Sequence, residues 1–230
     1  MNLPLEKLRG QGELGVGLAM VAGYVDGFGL LTFHMYLSFM SGDTTRAGCG
    51  AGRGDFASTI PLVVAIVCFV AGVIVGRLLR ESGLRRSRQM ILGGVGVVLA
   101  AAAGGMKHDW LPDTFWIGTI SLAMGTLNTA ISRVGNEPLN ITFVTGTLSK
   151  LGNHLALAIL RTLPKNAQGP WDTELRRAGL LASVWAAFLF GAVLAGMATP
   201  RLAGWALFPP AIVLFALALF AHNLVSDDVA

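Results

Sequence analysis

Long runs without a charge divide the chain. Ala57 to Gly76, Gln89 to Met106, Thr114 to Ser132, Ala178 to Pro200 and Leu202 to Ser226 contain no Asp, Glu, Lys or Arg. A helix needs roughly 17–25 apolar residues to cross a hydrocarbon core. The pattern therefore predicts five spans, at 57–76, 89–106, 114–132, 178–200 and 202–226. A sixth is predicted at 14–33, interrupted by Asp26 and by Gly23, Gly27 and Gly29. Between the first two spans lies a polar stretch, SFMSGDTTRAG, residues 38–48.

Composition agrees with the runs. Of 230 residues, 53% are hydrophobic and 13% charged, against about 25% charged in soluble domains. The mean hydropathy is +0.64. A soluble helical protein would need amphipathic helices to give it a wet surface, and none is visible. Glu6 and Glu13 dilute the charge of Lys7 and Arg9, and no small-residue cleavage site follows. The first span is therefore expected to be a mature helix and not a cleaved signal.

The charges orient the spans. With the N-terminus in the cytoplasm, Arg77, Arg80, Arg85, Arg86 and Arg88 fall inside, as do Arg133, Arg161, Lys165, Arg176 and Arg177. Only Arg46, Arg53, Lys107 and Arg201 of the 17 basic residues fall outside, and Lys150 lies between. This is the bias of the positive-inside rule. It predicts a multi-pass membrane protein with both termini cytoplasmic. The net charge of +4 then marks membrane topology and not nucleic-acid binding. Cys49 and Cys68 match no metal spacing, and no cofactor is expected. No HExxH, GxSxG, P-loop or dinucleotide fingerprint occurs, so no enzyme activity is expected.

An offset of 104 residues lays 38–48 on TFVTGTLSKLG, residues 142–152, without a gap. Phe39, Gly42 and Gly48 meet Phe143, Gly146 and Gly152, and Arg46 meets Lys150. The same offset lays Leu18-Ala19-Met20 on Leu122-Ala123-Met124, and FVAGVIVG (69–76) resembles FLFGAVLAG (188–196) further on. Three crossings per copy force the second copy to enter from the opposite face. The predicted fold is an all-α membrane domain of about six spans over 1–230. It comprises two inverted repeats, 14–106 and 114–226, each with a polar half-helix, at 41–53 and 145–160.

The motifs carry the candidate site. Ser41 and Thr145 are expected N-caps, and Gly42 and Gly146 allow close backbone approach. Free N–H groups at two helix starts favour an anion, with Arg46 and Lys150 one turn on. Asp43 and Thr44 complete the outer motif. Thr147 replaces Asp43 in the inner one, which leaves Lys150 without a matching acid and open to an anionic solute. Asp26, an ionisable group within a span, is read as a cavity carboxylate or as one bonded to backbone at a helix break. Asn128 is read as a cavity residue or an interhelical hydrogen bond. His34 and His154 are each read as a proton shuttle or, as a lone His more often is, a structural residue. The Gly72/Gly76 and Gly191/Ala195 pairs are read as packing positions.

AGYVDGFGLLTF…FMSGDTTRAG with AMGTLNTAISRVG…ITFVTGTLSKLG resembles the YoaK family of bacterial inner-membrane proteins, from about Leu18 to Phe220. The resemblance implies a polytopic membrane protein of about six spans and carries over no catalytic residue. Asp43 stands where the family usually has Asn. Two functions are compatible with these features. One is a transporter or channel-like permease for a small polar or anionic solute. The other is a non-transporting scaffold or modulator whose motifs are structural caps. The expected partners are the lipid bilayer and such a solute, and a homo-oligomer is compatible with the chain.

Overall fold

The computed structural model describes residues 5–84, 86–108, 111–135, 137–164, 167, 169 and 171–220. Eight α-helices carry the fold: α1 (Leu5–Phe33), α2 (Met40–Gly52), α3 (Phe56–Glu81), α4 (Ser87–Lys107), α5 (Asp113–Leu127), α6 (Val144–Ile159), α7 (Glu174–Leu202) and α8 (Phe208–Phe220). Among the described residues, four helical segments are long and apolar enough to cross a membrane: Leu8–Phe33, Phe56–Glu81, Ser87–Lys107 and Glu174–Phe220. The last is broken at Ala203, at φ +50°, by the 3-10 segment Ala203–Leu207. The span expected at 202–226 thus begins as 3-10 helix, and its residues beyond 220 lie outside the described residues. The span expected at 114–132 is shorter than its charge-free run, because α5 ends at Leu127. The run continues into irregular chain that hydrogen bonding, not hydropathy, shapes. The glycines of α1 do not break it.

Helix surfaces are apolar on the outside. In α3, Ile60, Val67, Ile74 and Leu78 are exposed, while Leu62, Ala65, Gly72 and Gly76 are buried. Large apolar side chains outside and small ones inside suit a lipid solvent, which gives helices no hydrophobic drive to associate. Close contact replaces that drive. A methyl group built at Gly23 would collide with the Phe188 carbonyl, and one at Gly191 with that of Met20. At a second interface, Gly125 lies against the Phe69 carbonyl and Gly72 against that of Leu122. Thr126 Oγ1 reinforces the second interface by donating to the Gly72 carbonyl at 3.0 Å.

Contacts give the helix directions. Gly12, Met20 and Gly27 of α1 meet Leu180, Gly191 and Ala195 of α7 in that order, so the two run parallel. Gly118, Leu122 and Thr129 meet Val64, Gly72 and Gly76, so α5 and α3 also run parallel. Gly204 meets Lys107 and Ala211 meets Gly96, so α8 runs against α4. Leu31, Met106, Leu111 and Thr199 line one cavity at one end of the bundle, here the far end. Leu8, Val134 and Arg177 line another at the opposite, near end, where Arg88 Nε also donates to the Ala130 carbonyl at 3.1 Å. Hence α1, α4 and α7 run from near to far, and α3, α5 and α8 from far to near.

Two short connections matter for the site. Asp55 caps α3 by accepting from Ser58 N, and hydrogen bonds from Ser58 hold its carboxyl below the usual carboxylate range. Between α5 and α6, β1 (Arg133–Val134) and β2 (Glu137–Pro138) form an antiparallel hairpin pairing Val134 with Glu137. Gly135, at φ +57°, supplies the left-handed residue that so tight a connection needs.

The packing predicts a sharp contrast between glycines. Gly191→Leu drives a side chain into the α1 backbone, and overpacking of this kind costs about 1–3 kcal/mol or more. Gly94→Ala adds a methyl that meets no atom within 4 Å. Thermal unfolding in detergent should show a marked fall for the first and none for the second. Equal effects would contradict the close-packed α1–α7 contact.

Candidate functional site

The chain turns back into the bundle after α1. His34 makes the reversal in the left-handed region, at φ +56°, and residues 35–39 descend beside the helix they have just left. Asp26 receives them. Its Oδ1 accepts from Leu37 N at 2.9 Å, Ser38 N at 2.7 Å and Phe39 N at 3.3 Å. Its Oδ2 accepts from Ser38 Oγ at 2.8 Å. Asp26 lies seven residues before the end of α1, about 10 Å along the axis. The start of α2 is therefore held well inside the bundle, and α2 climbs from there to meet α3 at the far end. The buried carboxylate is repaid by four donors, one way a charge is tolerated in such a place. Asp26 is bonded to backbone beside a helix that is continuous, and it also lines a cavity.

The second motif repeats this geometry. Both half-helices begin after a Phe: Phe39 at φ −90°, ψ 72° and Phe143 at φ −96°, ψ 70°. Neither Ser41 nor Thr145 caps. Each lies one position inside the helix and is exposed. The expectation of hydroxyl caps fails: neither helix start has a side-chain cap, and Asp26 and Asn140 instead accept from the residues that lead into α2 and α6. Asn140 Oδ1 accepts from Thr142 N and Thr142 Oγ1, both at 3.1 Å. Gly42 and Gly146 pack under aromatic rings, Tyr36 with Phe39 and Phe143 respectively. Asp43 and Thr147 are both buried, and Thr44 is exposed with its hydroxyl donating to the Met40 carbonyl. Arg46 donates to the His34 carbonyl, and Lys150 donates to the Pro138 carbonyl at 2.6 Å. Each basic side chain thus reaches the carbonyl twelve residues before it.

Both bases also have acids. Arg46 lies 3.7 Å from Asp43, whose second oxygen has no hydrogen-bond partner among the described residues. Lys150 lies 3.6 Å from Glu137 Oε1. This corrects the expectation that the inner motif lacks an acid and leaves Lys150 open. Thr147 is neutral, but the hairpin carries Glu137 into the place. A second correction concerns the offset. Gly125 and Leu122 make the contacts that Gly23 and Met20 make, which is an offset of 102, not 104, ahead of the motif. The loop holding the hairpin is two residues longer than its counterpart. At that offset Asn128, not Ala130, corresponds to Asp26. Asn128 Oδ1 is buried without a partner among the described residues.

The starts of the half-helices meet. Phe39 and Val144 line one cavity of about 240 Å³ with Gly23, Asp26, Tyr36 and Phe188. Ser41, Thr44, Thr145 and Arg46 are not among its lining residues, and neither are Asn128 and Lys150. At the near end a cavity of about 510 Å³ is lined by Arg9, Glu13, Glu137, Asp172, Arg176 and Arg177. Sequence reasoning missed Glu137, Asp172, Glu174 and Arg177. Arg177 and Asp172 form a two-pronged ion pair at 2.8 and 2.9 Å. No signal of spacing joins these residues, which a hairpin and a loop bring together. Among the described residues no cluster is able to hold a metal ion.

Comparison with known proteins fits this architecture. Residues 14–220 match the family described as "Protein of unknown function (DUF1275)". The chain belongs to that family. It is 29% identical over 217 residues to "UPF0700 transmembrane protein RA0705" of Rhizobium meliloti (strain 1021), covering 91% of this chain and 88% of that protein. It is 23% identical over 218 residues to "UPF0700 transmembrane protein YoaK" of Bacillus subtilis (strain 168), covering 92% and 94%. No solved structure matches. The relatives and the apolar helices together make this a multi-pass membrane protein of the YoaK family.

The anchor role of Asp26 is testable. Asp26→Ala leaves three backbone N–H groups and a hydroxyl without their acceptor, a loss of about 3 kcal/mol or more. Asp26→Asn keeps one acceptor oxygen and should fall between. Thermal unfolding in detergent should rank them in that order below the parent. An alanine variant as stable as the parent would remove the anchor.

Proposed function

We propose that the protein is a small permease of the bacterial inner membrane, built from two inverted three-span repeats that cross six times. Three observations support the inverted plan. The helices α1, α3 and α4 run near–far, far–near and near–far, while α5, α7 and α8 run in the opposite sense. The glycine contacts of α1 with α7 recur between α5 and α3. Both half-helices start alike and hold their basic residues alike. At 15 residues α5 measures about 22 Å, short of the roughly 30 Å core. It is largely buried, so protein and not lipid satisfies its ends. The near end carries Arg77, Arg80, Arg86, Arg133, Arg176 and Arg177, and by the positive-inside rule it is cytoplasmic. No enzymatic role is proposed.

The observation that carries the function is that Phe39 and Val144 line one cavity against α1 and α7. Re-entrant helices that meet there from opposite faces are the usual construction of a solute pathway. The helix starts bring positive dipole ends to it, which suits a small polar or anionic solute. Asp26 already neutralises the outer one. The charged near-end cavity would be its cytoplasmic vestibule. One observation favours a scaffold or modulator instead: Asp26 is saturated, and Arg46 and Lys150 are paired within the protein.

Uptake into proteoliposomes decides between them. A panel of small polar and anionic solutes should include at least one that the parent protein admits faster than empty vesicles do. Val144→Trp fills the central cavity and should reduce that uptake at least tenfold while the protein stays folded. Uptake indistinguishable from empty vesicles across the panel, or uptake unaffected by the Trp, would favour the scaffold.

A further inference from the structure

The near end of α6 holds a buried network that the permease reading does not use. His154 is buried between two buried glutamates. Its Nε2 lies 3.2 Å from Glu137 Oε2, and its Nδ1 contacts Glu174 Oε2. A carboxylate only accepts, and a neutral imidazole carries one N–H. Two ring nitrogens facing two carboxylates therefore need one proton beyond the neutral ring. The carboxylates sit on opposite ring nitrogens, so no single point lies between all three groups, and the fitting ligand is a proton and not a metal.

The surroundings set its charge. From α6, Lys150 approaches Glu137 at 3.6 Å. From α7 and the loop before it come Arg177 and Asp172, paired with each other. Arg9 and Glu13 of α1, themselves paired at 3.0 Å, and Arg176 of α7 line the adjoining cavity. With the proton in place, His154 and Lys150 balance Glu137 and Glu174. Without it, one buried negative charge is uncompensated, and a ring nitrogen lone pair faces a carboxylate. Glu137 lines the near-end cavity of about 510 Å³, which gives water a route to the site.

The three residues belong to three elements: Glu137 to β2, His154 to α6 and Glu174 to the first turn of α7. We propose that Glu137, His154 and Glu174 form a proton-binding site that locks the second half-helix to α7 and the hairpin, and that loss of the proton to the cavity releases it. Only the consequence rests on the permease reading: in a permease, this proton is the coupling ion. Binding adds a proton from cavity water to the imidazole, and release returns it there, with no other bond changed.

The sign follows from linkage. A protonated ring donates to both carboxylates and a neutral ring to only one, so the proton's contribution to the lock is present at low pH and lost as pH rises. The test uses the full chain in detergent, with thermal unfolding recorded from mildly acidic to mildly alkaline buffer. The parent should lose stability with rising pH, by about 2–4 °C or more in Tm. His154→Gln should lack that fall. Glu174→Gln, which removes one carboxylate and the need for the extra proton, should lack it too and guards against a misfolded His variant. Hydrogen exchange of residues 148–159 at matched pH supplies a local readout: alkaline pH should speed exchange in the parent relative to Glu174→Gln. A parent without the pH-dependent fall, or variants that retain all of it, would overturn the site. No solute enters this measurement. A flat pH response with intact uptake would remove the proton site alone, and a pH response without uptake would remove the permease alone.

Discussion

Within α1, one carboxylate makes the re-entrant architecture possible. A chain that turns back into a membrane protein exposes backbone N–H groups where water is scarce, and each unpaired group is costly. Asp26 accepts three of these N–H groups and the Ser38 hydroxyl. It thereby fixes the depth at which α2 begins, the approach of Phe39 to Val144 and the place of the central cavity. Its own burial is tolerable because the same donors satisfy it. The anchor and the segment it holds explain each other.

The second half of the molecule solves the same problem differently. Asn140 holds Thr142, just before the helix start, from within the loop, and the hairpin brings Glu137 to Lys150. The position corresponding to Asp26 is Asn128, an uncharged residue whose buried oxygen has no partner among the described residues. The first half-helix is thus pinned by a carboxyl group to a long helix. The second is tied through Glu137, His154 and Glu174 to the hairpin and the start of α7.

Much of this was legible in the sequence, and the rest had physical reasons not to be. Charge-free runs located the long helices because a hydrocarbon core excludes charge over a fixed length. The repeated motif located both half-helices to within a residue, since their starts at Met40 and Val144 lie 104 apart. Capping was misread, because Ser41 and Thr145 have the right chemistry but lie inside their helices, and neither start has a side-chain cap; Asp26 and Asn140, placed by tertiary folding, hold the residues just before them. The end of α5 was misread because hydropathy does not distinguish a helix from buried irregular chain. The partner of Lys150 was invisible, since Glu137 reaches it only through a two-residue hairpin that also shifts the offset between the copies.

The central claim is that the two half-helices begin beside each other, at one cavity against α1 and α7. Cross-linking in native membranes tests it most directly. In a chain lacking Cys49 and Cys68, cysteines replace Phe39 and Val144, and a short homobifunctional maleimide is added. The account predicts an efficient intramolecular cross-link for this pair, and none when Phe39 is combined with a cysteine at Ile159, the near-end terminus of α6. No cross-link between 39 and 144, with both cysteines reactive, would mean that the half-helices lie apart at the two surfaces, and would contradict the account.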